Sequence, residues 1–503
     1  MKQLFAKKHL SLLLEEMKGE NRLHRVLGPV ALTSLGVGAI IGTGIFVLTG
    51  VAAHDKAGPA IILSFVVSGI ACIFAAMCYA EFASMAPVAG SAYTYAYATL
   101  GELFAWIIGW DLILEYAVAS ATVAHGWSHY FQDFISIFGL KIPYWLSRAP
   151  FDFNPDTGLL GATGTFFDLP AIIITGLVTI ILVKGIRESA GFNATMVVIK
   201  LAIVLFVIVV GSMYINTENW TRNFAPFGFS GVSFFGKTIF GQTGLGGAPV
   251  GMIAAAATIF FAYIGFDSIS THAEEAKNPK RDVPIAIITS LLLCTVLYIA
   301  VAAVITGMVP YDKIDIDAPV SNAFKQVGLP WAQFIISFGA ISGITSVLLV
   351  MMLSQPRIFL AMARDGLVPP KFFGAVHDKF RTPWKSTILT GVFVAVLGGL
   401  LPLRILAELV NIGTLFAFVI VCAAVLIMRK TNPHAERPFK APWVPFVPVM
   451  GILTCLLLMF SLPGENWWRL LGWLAIGFVI YFSYGRKHSV MRARMAAKNP
   501  VNK

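Results

Sequence analysis

Charge is what this chain has least of. Asp, Glu, Lys and Arg make up only 13% of its 503 residues, against 57% hydrophobic ones. A soluble globular domain carries about 25% charged and roughly 45–50% apolar residues. A deficit of that size excludes a water-soluble enzyme or binding module built on one core; the apolar excess needs a bilayer as its solvent. Cysteine is scarce as well: Cys72, Cys78, Cys294, Cys422 and Cys455 lie inside apolar stretches and none forms a CxxC pair. They read as packed thiols, neither disulfides nor metal ligands. The nine histidines are scattered. His125 and His129 stand four apart, hence on one helix face, but lack the glutamate of an HExxH motif, so they read as interfacial residues and no metal is expected. An intramembrane enzyme would need a nucleophile with a base partner, or His and Asp ligands at metal spacing.

Acidic residues are fewer than basic ones, 26 against 37, which leaves a net charge of +11. In a soluble protein that excess would suggest nucleic acid. Here cytoplasmic loops rich in Lys and Arg explain it, and no nucleic-acid partner is expected. The polar, mixed-charge opening (Lys7, Lys8, Glu15, Glu16, Lys18) argues against a cleaved signal peptide. Leu10, Leu12, Leu13 and Leu14 are the apolar patch of an amphipathic helix on the inner membrane surface, or part of a disordered tail; the sequence favours neither.

Long apolar runs are abundant. A membrane helix needs about 20 mainly apolar residues, and about twelve stretches qualify: 30–52, 58–83, 98–130, 168–184, 191–215, 249–271, 284–308, 331–362, 386–401, 404–428, 444–462 and 467–485. Basic residues concentrate in the tails and in alternate loops (Lys184, Lys277, Lys280, Arg281, Arg429, Lys430), which places both termini in the cytoplasm. The expected fold is all-α and integral to the membrane. Residues 1–29 form a cytoplasmic segment, 30–215 spans one to five, and 216–248 an extracellular loop. Residues 249–428 form spans six to ten, 429–485 spans eleven and twelve, and 486–503 a cytoplasmic tail. The outer segments 131–167 and 216–248 read as surface loops with short helices.

Two spans are interrupted. The first contains Gly36, Gly38, Gly42 and Gly44 within nine residues, each weakening a helix by about 1 kcal/mol relative to Ala. A break there frees backbone N–H groups and presents the positive end of a half-helix, which suits a carboxylate. Close helix packing is the alternative use of such glycines. The sixth span runs Phe261-Ala262-Tyr263-Ile264-Gly265-Phe266-Asp267, where a glycine and an acid interrupt apolar sequence at comparable depth. Free C=O groups at this second break would receive an ammonium. Breaks at corresponding places in two halves are the best sequence pointer to a transporter site.

Ionisable groups inside spans are functional candidates by default. Lys200 lies about nine residues into span five, roughly 14 Å deep at 1.5 Å per residue. Burial penalises its charged form, so Lys200 can load and release a proton; a structural ion pair with a carboxylate is the alternative. Glu115 lies deep in span three, with Asp111 one turn earlier and nearer the interface, where a structural role is expected. Asp267 follows the second break.

Several motifs resemble one family. Gly38–Phe46 looks like the first-helix signature of the amino acid–polyamine–organocation superfamily. Tyr79-Ala80-Glu81-Phe82 with Pro87, Gly90, Ser91, Tyr93, Gly101 and Glu102 resembles its next signature. Leu114-Glu115-Tyr116, Glu274–Pro279 and Ala363–Leu367 are similar to its cationic amino acid transporter branch. The resemblance covers about residues 30–440. It implies two inverted five-helix repeats with discontinuous helices one and six, plus two further helices, and amino-acid transport by alternating access. It further implies that the substrate carboxylate meets Gly42, Thr43 and Gly44, and its ammonium the carbonyls of Ile40, Phe261 and Ile264, with Ile41 beside them. A lysine at Lys200 occupies the place of sodium in related sodium-driven transporters, so the implied driver is a proton, with Glu115 and Asp267 as further proton-coupling candidates and no other cofactor. Ser342, Gly343 and Ser346 are placed by the fold at the side-chain end of the pocket. The apolar lining Ile40, Ile45, Phe261 and Ile264 points to neutral amino acids such as alanine; Glu115 or Asp267 would serve a cationic substrate in the alternative. Expected partners are the amino-acid substrate and membrane lipid, in a plasma-membrane protein for which a monomer suffices. A channel, the other class, would usually show rings supplied by several subunits.

Overall fold

In the computed structural model the described residues are 3–8, 27–88, 90–153, 159–185, 187–380 and 382–498. The proposed amphipathic patch at Leu10–Leu14 lies outside them. Helices occupy all the apolar stretches: α1 (Pro29–Ile40), α2 (Ile61–Met85), α3 (Glu102–Ser136), α4 (Leu169–Lys184), α5 (Arg187–Ser212) and α6 (Met252–Ile259). The rest are α7 (Pro279–Met308), α8 (Pro330–Arg364), α9 (Trp384–Leu400), α10 (Leu403–Thr431), α11 (Phe446–Phe460) and α12 (Gly464–Ile480). Among the described residues, seven helical stretches are long and apolar enough to cross a membrane, or eight if α11 and the helix after it, bent by 111°, count as one span; α1, α4 and α9 are shorter apolar helices. One of the seven, Gly44–Met85, has 42 residues, about twice what a bilayer needs. It turns back at Gly58, whose φ of +60° only glycine adopts readily, followed by Pro59.

Packing reveals an internal symmetry. α2 packs on α7, α3 on α8 and α4 on α9. Contacts away from these pairs occur in couples: α1 with α7 and α6 with α2, α5 with α8 and α10 with α3, α5 with α7 and α10 with α2. Each couple is exchanged when a helix is replaced by the one five places along. Five is odd, so two such halves traverse a bilayer in opposite senses. The all-α membrane-transporter architecture read from the sequence is therefore present.

The lateral surface is a lipid surface. On α5 the buried positions Val197, Lys200, Val204, Val207 and Gly211 follow helical spacing, while Val198, Leu205 and Val209 are exposed. Leu292 and Val296 on α7, and Val392 and Val396 on α9, are exposed in the same way. The chain ends meet at one end of the bundle: Gln3 Nε2 donates to Arg486 O at 2.9 Å and to Glu102 Oε1 at 3.0 Å.

Two sequence expectations change. The third apolar stretch does not form one helix from residue 98. The helix Ser91–Thr99 ends first, Gly101 takes φ +111°, and α3 starts at Glu102. The outer segments hold strands as well as short helices: Phe151–Phe153 pairs with Leu160–Ala162, Val232–Phe234 with Lys237–Phe240, and Gln242–Thr243 with Pro249–Val250. The middle hairpin turns through Phe235 and Gly236, both at positive φ, the backbone a tight two-residue hairpin demands.

Candidate functional site

The site begins where α1 stops. Ile41 leaves the helix with ψ 103°. Helical bonding restarts at Gly42, whose carbonyl accepts from the N–H groups of Ile45 and Phe46, both at 3.2 Å. The chain then winds on through Gly44–Leu48, Thr49–Ala52 and Ala53–Ala57. The first N–H groups of a helix have no acceptor within it, which here concerns Thr43 and Gly44. Thr43 is buried, and its hydroxyl has no hydrogen-bond partner among the described residues. Gly126 of α3 makes room for it: a Cβ there would lie 2.9 Å from the Thr43 oxygen.

The second break lies directly against the first. α6 tightens into a 3-10 turn over Phe260–Tyr263, Ile264 extends with ψ 132°, and Gly265 adopts φ +126°. A Cβ on Gly265 would stand 2.9 Å from the Ala39 carbonyl carbon, and one on Gly44 would overlap Ala262 Cα. Each break thus contains a glycine that lets the other approach. The Tyr298 hydroxyl of α7 joins them, 2.7 Å from Ile40 O and 2.9 Å from Ala262 O. Phe261 O accepts from Ile264 N–H at 3.1 Å. Of the three carbonyls assigned to an ammonium, those of Ile40 and Phe261 therefore already hold one donor each; every carbonyl oxygen has a second lone pair.

Lys200 is fully buried and ends in this junction. Its ammonium donates to Gly38 O at 2.6 Å, Ile41 O at 2.9 Å and Ser346 Oγ at 2.9 Å. These are three acceptors for three N–H donors. Two belong to the carbonyl end of α1, where a cation also meets the negative end of the helix dipole. The stem passes α8 at Gly343, where a Cβ would lie 3.1 Å from Lys200 Cβ. Among the described residues no carboxylate forms an ion pair with Lys200, the structural alternative; its partners are carbonyls and a hydroxyl.

The acids have different surroundings. Asp267 Oδ2 accepts from the Tyr116 hydroxyl at 2.7 Å and Oδ1 from Gly265 N–H at 3.2 Å, so this carboxyl braces the second break from within. Glu115 and Asp111 are buried on α3, and none of their four oxygens has a hydrogen-bond partner among the described residues. Asp111 faces Gly413 of α10, where a Cβ would lie 2.8 Å from Oδ1; the structural bonds expected for it are not found there. Ser342 is half-buried and returns its hydroxyl to Phe338 O of its own helix at 2.9 Å. Ser346, one turn on, makes the contact to the break. Ile40, Ile41, Gly42, Thr43, Gly44, Phe261 and Ile264 are brought together and buried. Tyr298 escaped the sequence reading, and Tyr116 appeared there only within a motif, with no role at the site; a phenol inside an apolar run was the available signal.

Replacing Tyr298 by Phe removes a hydroxyl that bonds to both breaks. A net hydrogen bond is worth about 0.5–1.5 kcal/mol, so Tyr298→Phe is expected to fold with slightly lower thermal stability and to take up substrate several-fold more slowly. Unchanged initial uptake rates would show that the hydroxyl does not hold the breaks in register.

Apposed helix breaks at the meeting of two exchanged halves define the chain as a membrane transporter, not an enzyme. Comparison with known proteins gives the family. The amino acid permease family matches residues 27–482, and the chain belongs to it, within the amino acid–polyamine–organocation superfamily. It is 48% identical over 487 residues to the branched-chain amino acid permease BcaP of Bacillus subtilis (strain 168), covering 97% of this chain and 98% of that one. It is 46% identical over 491 residues to the methylthioribose transporter of the same organism, covering 98% and 100%. With the vacuolar cationic amino acid transporter 4 of Arabidopsis thaliana it shares 38% identity over 421 residues, 82% of this chain and 65% of the relative.

Proposed function

We propose that the protein is a proton-coupled symporter of neutral aliphatic L-amino acids, from alanine to the branched-chain ones, in the plasma membrane with both termini cytoplasmic. The observation that carries this reading is the apposition of the two breaks around Gly42–Gly44 and Phe261–Gly265, with Lys200 bonded into the first. N–H groups at the restart of the first span suit a carboxylate, and carbonyls at the second suit an ammonium. The side chains around them, Ile40, Ile41, Phe261 and Ile264, are apolar and buried, which favours an aliphatic substrate. Asp267 spends its oxygens on Tyr116 and Gly265 and offers a cationic side chain little. The name of BcaP agrees with this choice.

In the proposed cycle Lys200 is the coupling group. Charged, it satisfies Gly38 O, Ile41 O and Ser346 together; neutral, it has one N–H fewer, and the tie between α1, α5 and α8 loosens. Glu115 and Asp267 are the further proton-coupling candidates. Protonation and substrate binding then act on the same segment, Gly38–Gly44, which is how a gradient of one can drive the other.

A second reading has one specific support, the full-length identity with a methylthioribose transporter. That sugar has neither carboxylate nor ammonium. The test is uptake of labelled L-alanine and L-leucine into proteoliposomes, with and without an inward proton gradient, and with unlabelled amino acids and methylthioribose as competitors. Gradient-driven accumulation competed by aliphatic amino acids alone is the expected result. Competition by methylthioribose alone would overturn the zwitterion site, and competition by arginine would move the substrate to the cationic class.

A further inference from the structure

At the end of α3 away from Glu102, four side chains from three segments converge without any role in the transport site. His125 and His129 lie one turn apart, their rings tilted by 53° with centroids 4.7 Å from each other. Asp168 precedes α4, and its Oδ1 accepts from Ala171 N–H at 3.1 Å and from the Ser128 hydroxyl at 2.6 Å. Its Oδ2 lies 3.2 Å from His125 Nδ1. Asp317, just before the helix Pro319–Gln326, brings Oδ1 to 3.1 Å from His129 Nδ1, while Arg148 donates to its Oδ2 at 3.0 Å. His125 is 4% exposed and Asp168 is fully buried.

These short contacts are not aligned as hydrogen bonds. Asp168 Oδ2 and His129 Nδ1 are both buried with no hydrogen-bond partner among the described residues. Leaving such atoms unanswered costs about 1–3 kcal/mol each. Two ligands of one tetrahedral zinc ion, at bond lengths of about 2.0–2.2 Å, are roughly 3.4 Å apart. Contacts of 3.1 and 3.2 Å with the wrong alignment for a proton are close to that spacing. One ligand atom each from His125, His129 and Asp168 lie within 4.8 Å of one another. Gly398 O is also 3.4 Å from His125 Nδ1, a long contact that a metal bound through Nδ1 would replace.

From this geometry we infer a divalent transition-metal site, formed by His125, His129 and Asp168 with Asp317 beside His129, that accepts zinc. Two imidazoles with carboxylates suit zinc or cobalt; magnesium and calcium prefer all-oxygen sites, and copper(I) prefers sulfur. The two carboxylates outweigh the Arg148 charge and keep the site attractive to a cation. The bound ion ties α3 to the start of α4 and to the segment that carries Asp317. That segment leads into Pro319–Gln326, which packs on Gly44–Leu48 of the first span.

The test uses untagged full-length protein in detergent, stripped with a chelator and equilibrated with zinc. Elemental analysis is expected to give one zinc per chain, and zinc to raise the melting temperature. His129→Gln and Asp168→Asn should each weaken zinc binding at least tenfold and abolish the thermal shift; the asparagine keeps an acceptor for the α4 cap. His434→Gln, at an exposed histidine, should change neither. Cobalt in place of zinc should give the intense visible bands of a four-coordinate ion in the parent and not in the variants. Substoichiometric zinc, or binding that survives both substitutions, would overturn the site and leave two histidine–aspartate ion pairs.

Discussion

Lys200→Ala is expected to abolish uphill accumulation of substrate under an inward proton gradient, with initial gradient-driven uptake falling at least a hundredfold. The substitution leaves Gly38 O, Ile41 O and Ser346 Oγ without the donor that now reaches all three. Ser346 Oγ still donates to Gly38 O at 3.3 Å, but Ile41 O loses the Lys200 donor, and an unanswered buried polar group costs about 1–3 kcal/mol, so the first break is disturbed beyond the loss of one charge. The discriminating measurement is counterflow, which needs binding and alternation but no gradient. Residual counterflow without accumulation is the signature of lost coupling. If Lys200→Ala instead lost counterflow as well, ligand-induced thermal stabilisation would separate failed binding from failed alternation. Uphill uptake that persists unchanged would remove Lys200 from the proton pathway.

The break-forming segments were legible in the sequence because their cause is local. Glycine density and an acid at span depth suffice to interrupt helices, and both interruptions fall where Gly36–Gly44 and Gly265–Asp267 predicted. Lys200 was legible for the same kind of reason: a charge within an apolar run stands out, and its place on the buried stripe of α5 follows from helical spacing. What those groups touch was not legible. That Lys200 bonds to carbonyls of α1 depends on α5 packing against α1 and α8, a relation between residues more than a hundred positions apart. Tyr298 was missed because its hydroxyl matters only through the two carbonyls that the breaks expose. Ser342, Gly343 and Ser346 were placed together by the fold the resemblance implies, and of the two serines Ser346 makes the contact; one helical turn decides between them, and only the rotation of α8 fixes that. That Asp168 and Asp317 stand beside His125 and His129 was not legible either, because those carboxylates come from other segments of the chain.

The closeness of the two breaks makes the second large prediction. Gly44→Ala is expected to reduce uptake to near background while the protein still folds and inserts. The added methyl group would overlap Ala262 Cα, which is backbone and cannot rotate away. Gly42 differs: a Cβ there meets Val347 Cγ2 at 2.6 Å, the end of a side chain, so Gly42→Ala should retain partial activity, whereas the bulk of Gly42→Leu should block binding. Overpacking typically costs about 1–3 kcal/mol. In Gly44→Ala that strain is relieved most easily by parting the two half-helices, which Tyr298 joins through a single hydroxyl while Lys200 and Asp267 each hold one break separately. Parting them separates the N–H groups of the first break from the carbonyls of the second, and a zwitterion bound between them loses one of its two ends. The variant should therefore lose affinity more than maximal rate: ligand-induced thermal stabilisation disappears, and half-saturation in counterflow rises at least tenfold. Normal affinity with a lower rate would mean that the breaks tolerate separation and that the carboxylate and ammonium are bound elsewhere.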